Sequence, residues 1–262
     1  MGELRSYAHA KPSAKRFTSY VLPYIEPQHA VLDIGCGLGA ISADLAEKAS
    51  SGSVTCLDAS DSVLEAARAT FGERGLANGE FVAADVADLP FGDGTFDVVH
   101  AHQVVIHRAD PEAAMREMRR VLKDGGVLAC KDMNISSMAY HPSLPGMDVW
   151  RRALVATMRR AGSDPDMGAR LKGLAIAAGF PARAVTCTVG AWCFSEPDDV
   201  AWWGGSVAER LAKAGDLGSK AVDAGAVSGE ELENGAEAWW QWARTEGAWF
   251  GVMNGEVICV KQ

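Results

Sequence analysis

The chain has 262 residues, 48% of them apolar and 23% charged, and a formal net charge of −9. That size suits one large mixed domain with a substantial core. The acidic balance argues against a protein devoted to nucleic acid or an anionic membrane, and no apolar run approaches the roughly eighteen residues of a membrane span.

The opening stretch "MGELRSYAHAKPSAKRF" lacks the apolar core of a signal peptide, so a cytoplasmic location is expected. Residues 1–27 read as a helical lead-in. "AVLDIG" is then a first buried strand. "LGAISADLAEKA" has apolar residues Ile41, Leu45 and Ala49 on one helical face. "SVTCLD" is a second strand, and "SDSVLEAARATF" a second helix with Ser60 or Ser62 as cap and a possible Ser62–Glu65 capping box. "GEFVAAD" and "TFDVVHAH" are the third and fourth strands. "DPEAAMREMRRVL" is a helix capped by Asp110 with Pro111 at its first position, burying Ala114 and Met118 and exposing Arg116, Arg119 and Arg120. "GGVLACKDM" is the fifth strand.

Beyond it come a helix around "MDVWRRALVATMRRAG", another over 165–180, a sixth strand "RAVTCTVGAWCF", a mostly helical 197–244, and a last strand "AWFGVMNGEVICVKQ". Continuous apolar strands alternating with helices predict an α/β, Rossmann-like, doubly wound sheet. The six cysteines form no C-x-x-C pair, so free buried thiols and no metal are expected. Residues 1–262 read as a single domain: a cover over 1–27, a cofactor-binding core over 28–133, and substrate-side insertions with the last strands over 134–262.

"VLDIGCGLGA" places Gly35, Gly37 and Gly39 where the first strand hands over to a helix. Glycine lets a ligand approach the backbone closely, and the helix N-terminus beyond favours an anionic group. Gly35, Gly37 and Ala40 also fit the dinucleotide pattern G-x-G-x-x-A, which admits NAD. Acidic residues at three successive strand ends separate the two. Asp33 in the approach to the turn would repel a pyrophosphate but accept from an amine. Asp58, 19 residues beyond Gly39, can accept from ribose hydroxyls, and Asp85 from the exocyclic amine of adenine, with Val86 against the ring. S-adenosylmethionine combines a ribose, an adenine and positive charge. Taken singly, Asp33 could cap the turn, Asp58 the second helix, and Asp85 could be a solvated loop residue.

"VLDIGCGLGAISADLA", "CLDAS", "VAADVADLPFGDGTFDVVHAHQVVIH" and "EMRRVLKDGGVLACKD" resemble the successive motifs of class I S-adenosylmethionine-dependent methyltransferases, in particular the group similar to the ubiquinone/menaquinone-biosynthesis C-methyltransferases. The resemblance is strong over residues 31–132. It implies a seven-stranded sheet in the order 3-2-1-4-5-7-6 with strand 7 antiparallel, and helical insertions forming a lid. Carried over by position, Asp33, Gly35, Cys36 and Gly37 would meet the methionine end, Asp58 and Ala59 the ribose, and Asp85 and Val86 the adenine. Ala101 and His102 would line the cofactor near its amino group, and Tyr7 would lie in the cover. Asp124 stands in place of the usual proline before the fifth strand, and Ile106 in place of a residue often polar, leaving a drier pocket.

Methyl transfer needs alignment and desolvation, and a base where the acceptor is a hydroxyl or an acidic carbon. His107 and His102 in "HAHQVVIHRAD" are the expected catalytic candidates, while His100 is expected to point into the sheet. Gln103, Asp132, Asn134, Tyr140 and Trp202 are expected around the acceptor, with His141 beside them. Trp239 and Trp242 are expected to form a helix core face. The expected substrate is a small, largely apolar metabolite, handled by a monomer or homodimer without nucleic acid. The motifs specify binding rather than chemistry. They therefore leave open a cyclisation or rearrangement that uses the sulfonium only as a fixed charge, or a non-catalytic regulatory protein.

Overall fold

A computed structural model describes residues 17–212 and 215–262. Within them the chain forms two compact units, one made of residues 17–133, 167–190 and 254–262, the other of residues 134–166, 191–212 and 215–253. Residues 167–190 and 254–262 thus share a unit with the glycine turn. Tyr7 lies outside the described residues.

The first unit is built on a twisted sheet. Its strands are β1 (Ala30–Ile34), β2 (Ser53–Asp58), β3 (Gly79–Ala83), β4 (Phe96–His102) and β5 (Leu122–Met133). They run in the order β3-β2-β1-β4-β5, all parallel. The far end of β8 (Trp249–Val260) adds antiparallel to β5, from Val127↔Val260 to Met133↔Asn254, and β7 (Val185–Phe194) pairs with β8. β8 and β7 are therefore the expected strands 7 and 6. The numbers shift because an unforeseen short strand, β6 (Ala139–His141), precedes them.

Helices α1 (Ala40–Lys48), α2 (Asp61–Glu73) and α3 (Pro111–Val121) connect the parallel strands. Val31, Leu45, Val54, Leu64, Phe71 and Val98 form part of one buried cluster, to which α1 and α2 contribute. Asp110 caps α3 as expected, accepting from the Ala113 N–H at 2.9 Å. The proposed Ser62–Glu65 box does not form: Ser60 is the α2 cap and its hydroxyl meets that of Ser62. Arg120, expected in solvent, instead reaches the carbonyls of Leu89 and Phe91 at 2.9 and 2.7 Å, because its long stem lets the guanidinium satisfy the loop beneath it. The 165–180 helix is broken into a 3-10 turn, Met167–Arg170, and α5, Leu171–Ala177.

The second unit packs α4 (Asp148–Arg160), α6 (Pro197–Leu211), α7 (Asp216–Asp223) and α8 (Gly229–Trp242), with β6 paired to Trp249–Gly251. Trp150 lies at its centre, edge-on to Trp203, Trp239 and Phe250 at 5.7, 5.3 and 6.2 Å. Trp239 and Trp242 are fully buried as expected, and their indole N–H groups donate to the carbonyls of Met147 and His141. Large rings whose polar atom finds a carbonyl combine burial with satisfied hydrogen bonding. α8 starts with a capping box, Ser228 with Glu231.

Cys36, Cys56, Cys130 and Cys259 are buried and free. Cys187 and Cys193 depart from expectation and are exposed, because they occupy outward positions of β7, which is exposed along most of its length.

Candidate active site

β1 ends in a turn where Gly35, Gly37 and Gly39 take φ values of 67°, 54° and 79°. These lie in the left-handed region, where a side chain is strained and glycine is not. The N–H groups of Gly35 and Cys36 both donate to the Leu57 carbonyl, at 2.7 and 3.0 Å, which folds the turn back over β2. A Cβ on Gly35 would stand 2.5 Å from Cγ2 of Val104. The segment leaving β4 therefore lies against the turn, yet Gly35 itself stays exposed.

Asp58 closes β2, half-buried, beside exposed Ala59. The Gly37 N–H donates to its Oδ2 at 3.3 Å and the Ser60 N–H to its Oδ1 at 3.1 Å. Each oxygen of an ionised carboxylate has about two acceptor positions, so one remains on each. Two open acceptors on a fixed carboxylate suit a pair of vicinal hydroxyls.

Beyond β3, Val86 is buried and Asp85 exposed. Oδ1 of Asp85 accepts from the Ala87 N–H at 2.8 Å, and Nη2 of Arg108 lies 2.8 Å from both oxygens. The Ala87 N–H first, and Arg108 after it, hold this carboxyl below the usual carboxylate range.

Asp33 behaves differently from expectation. Its carboxylate is buried, with Oδ1 2.7 Å from Nδ1 of His100 and Oδ2 accepting from the Ser42 hydroxyl. It ties β1 to β4 and α1, and its burial withdraws it from direct contact with a methionine amine in this conformation. Register explains this: Asp33 pairs with His100 across β1 and β4, so both side chains leave the sheet on the same face. Cys36 also turns inward. Its thiol lies in the core, and a hydrogen bond with Cys56 together with burial raises its pKa. Ala101 is buried in β4, between Ile34 and Cys130 on the neighbouring strands.

His102 is half-buried, its ring stacked on His100 at 6.3 Å and 15°. Burial, then the nearby His100 and Lys131, push it well below the ordinary imidazole range, so it is neutral at pH 7. Gln103 follows with φ 58°, the one non-glycine residue with positive φ among the described residues. Its N–H donates to the Lys131 carbonyl and its amide to Oδ1 of Asn254, both at 2.8 Å. Such backbone outliers persist where surrounding contacts over-determine them and cluster at functional sites. His107 ends a 3-10 turn, Val105–His107, with its side chain exposed.

Asp132 is fully buried, which removes it from direct contact with an acceptor in this conformation. Burial raises its pKa to about 8, while the amides of Ile106, Val105 and Val104 pull the other way. Asn134, Tyr140 and Trp202 belong to the second unit. The Asn134 N–H donates to the Met253 carbonyl at 3.0 Å, Tyr140 lies edge-on to Trp239 at 5.5 Å, and half-buried Trp202 lies 5.6 Å from Phe194. His141 is exposed.

Sequence reasoning missed the buried ion pair beside this site. Lys131 lies 2.9 Å from Glu256 and donates to the Phe17 carbonyl at 2.8 Å, while the Thr188 hydroxyl donates to Glu256 at 2.7 Å. The signal was present: a lysine inside the apolar run "LACKDM" needs a buried partner. A Cβ on Gly190 would stand 2.2 Å from Oε1 of Glu256 and 2.7 Å from Nζ of Lys131, so a side chain there would displace the pair.

A methyltransferase-domain family model matches residues 32–130. An uncharacterised methyltransferase of Schizosaccharomyces pombe is 28% identical over 97% of this chain and 92% of its own length. A demethylmenaquinone methyltransferase of Lactococcus lactis is 37% identical over 44% of each chain. The chain carries an S-adenosylmethionine-dependent methyltransferase domain over residues 32–130. The fold of the methyltransferase agrees: the solved structure of a Bacillus protein, YcgJ, superposes with a TM-score of 0.61 over 93% of this chain and 97% of that one, at 18% identity. Its cofactor is S-adenosylmethionine, and the donor set fits that group. The glycine turn leaves room for close approach, and Asp58 and Asp85 keep acceptor positions for hydroxyl and amine donors.

Proposed function

We propose that the methyltransferase transfers a methyl group to an oxygen, nitrogen or carbon of a small, largely apolar metabolite. The cofactor supplies a sulfonium-activated methyl group, so the chain's own task is to align, dry and deprotonate. Asp58 with Ala59 holds the ribose, Asp85 with Val86 the adenine, and Gly35 and Gly37 leave space for the methionine end.

The observation that carries this reading is His102, a neutral imidazole at the exit of β4 next to the strained Gln103. A neutral ring can accept a proton, against the burial and the nearby His100 and Lys131 that disfavour its charged form, and His107 is the second candidate for that task. The apolar character of the acceptor rests on Val105 and Ile106, which follow β4. Gln103 would orient it. The intact glycines and acids favour a catalytic role over a regulatory one.

The test incubates the protein with methyl-labelled S-adenosylmethionine and a metabolite extract. A labelled organic-soluble product with stoichiometric S-adenosylhomocysteine supports the reading. Saturable cofactor binding without label transfer, together with an isomerised product of unchanged mass, would replace it by a rearrangement.

A further inference from the structure

We infer that Arg108 is a positioning residue for the adenine end of the cofactor site, holding Asp85 so that one carboxylate oxygen stays open for the exocyclic amine. This rests on the assignment of Asp85 to adenine made above.

The two residues come from distant parts of the sheet edge. Asp85 follows β3 and Arg108 follows β4, and β2 and β1 lie between those strands. Three strand spacings of ~4.8 Å separate β3 from β4 by about 14 Å. The chain crosses that gap over the glycine turn: Val104 packs against Gly35, the Val105–His107 turn follows, and Arg108 then meets Asp85. The Arg108–Asp85 contact therefore spans the strand ends where the nucleoside is expected, at the C-terminal edge where ligands of such sheets bind.

The contact leaves room for a ligand. Only Nη2 of Arg108 touches Asp85, 2.8 Å from each oxygen, and the Ala87 N–H takes a second position on Oδ1. Oδ1 is thus filled twice and Oδ2 once. An ionised carboxylate has about four acceptor positions, so a single one remains, on Oδ2. A carboxylate at an exposed loop would otherwise rotate freely between solvent and ligand. Arg108 and the Ala87 N–H restrict it from two directions. An amine N–H can donate to the remaining position, whereas a carbonyl at the same place meets a carboxylate oxygen and is repelled. Arg108 therefore contributes to discrimination of adenine from a 6-oxopurine.

The experiment measures Kd by calorimetry for S-adenosylhomocysteine and for S-inosylhomocysteine, whose 6-position bears a carbonyl, on the wild type, Arg108→Ala, Arg108→Lys and Asp85→Asn. The wild type should prefer the adenosyl compound by about tenfold or more. Arg108→Ala should reduce that preference severalfold while keeping its circular dichroism spectrum and melting profile. Arg108→Lys, which also offers one charged nitrogen, should restore much of it. A preference unchanged in Arg108→Ala, or tighter adenosyl binding because Arg108 had been competing for Asp85, overturns the inference and leaves the Asp85 assignment standing. A wild type, or an Asp85→Asn variant, with unaltered relative affinities between amine and carbonyl overturns the Asp85 assignment itself, and the inference with it.

Discussion

Nδ1 of His100 lies 2.7 Å from Oδ1 of Asp33, and both side chains are almost wholly out of solvent. The contact joins the strand that ends in the glycine turn to the strand that ends in His102. The Ser42 hydroxyl completes the carboxylate from α1. Removing one partner of such a buried pair strands the other, so His100→Ala should lower unfolding free energy by about 3–5 kcal/mol. Urea denaturation followed by circular dichroism measures it. A loss below about 1 kcal/mol would show that the pair is not a structural tie.

Asp58 offers its open acceptor positions from a carboxylate fixed by two backbone N–H groups. Asp58→Ala should weaken S-adenosylhomocysteine binding by roughly 1–3 kcal/mol, readable by calorimetry. An unchanged Kd refutes the ribose assignment.

Gly35→Ala combines a left-handed φ with a Cβ 2.5 Å from Val104. Either the turn or the post-β4 segment must shift. The variant should lose about 1–3 kcal/mol of stability and bind the cofactor more weakly in proportion to the distortion.

Asp132 gives a pH dependence. Its folded pKa is raised to about 8 by burial, against about 3.9 in an unfolded chain. Between those values the folded state keeps a proton that the unfolded state has lost. This group therefore lowers stability as pH rises through the window, by at most about 1.4 kcal/mol per pH unit. Asp132→Asn should flatten the stability profile between about pH 5 and 8, checked by urea titrations at several pH values. An identical slope in the variant would sink the assignment.

His102 stays neutral well below the usual imidazole range. If it is the base, kcat should not fall as pH is lowered from 8 to about 6.5, and His102→Ala should abolish that plateau along with most of the turnover. A fall centred near pH 6.5 that survives in His102→Ala but vanishes in His107→Ala would assign the role to His107 instead.

The alternation of apolar strands and helices over residues 28–133 was fully legible, because strands buried on both faces must be continuously apolar. The glycine turn was legible for a similar reason: left-handed backbone leaves little choice of residue. Asp58 was legible as the acid that ends β2. Asp33 was less so, since a carboxylate in a strand does not announce which face it takes. The spacing of His100 and His102 shows that they share a face, but only the register shows that Asp33 shares it too. The break of the 165–180 helix and the strand β6 escaped notice because neither carries a strong periodic signal.

The sequence by itself determined the sheet, the turn and the class of cofactor, because these follow from local periodicity, backbone sterics and the placement of acids at strand ends. The tertiary structure alone decided that Asp33 is a buried tie, that Asp132 is sealed away, that Lys131 pairs with Glu256, and that Arg108 reaches Asp85. The residues of those pairs are separated by 67, 125 and 23 positions in the chain. Partners so distant are chosen by strand register and loop path, which no local pattern encodes.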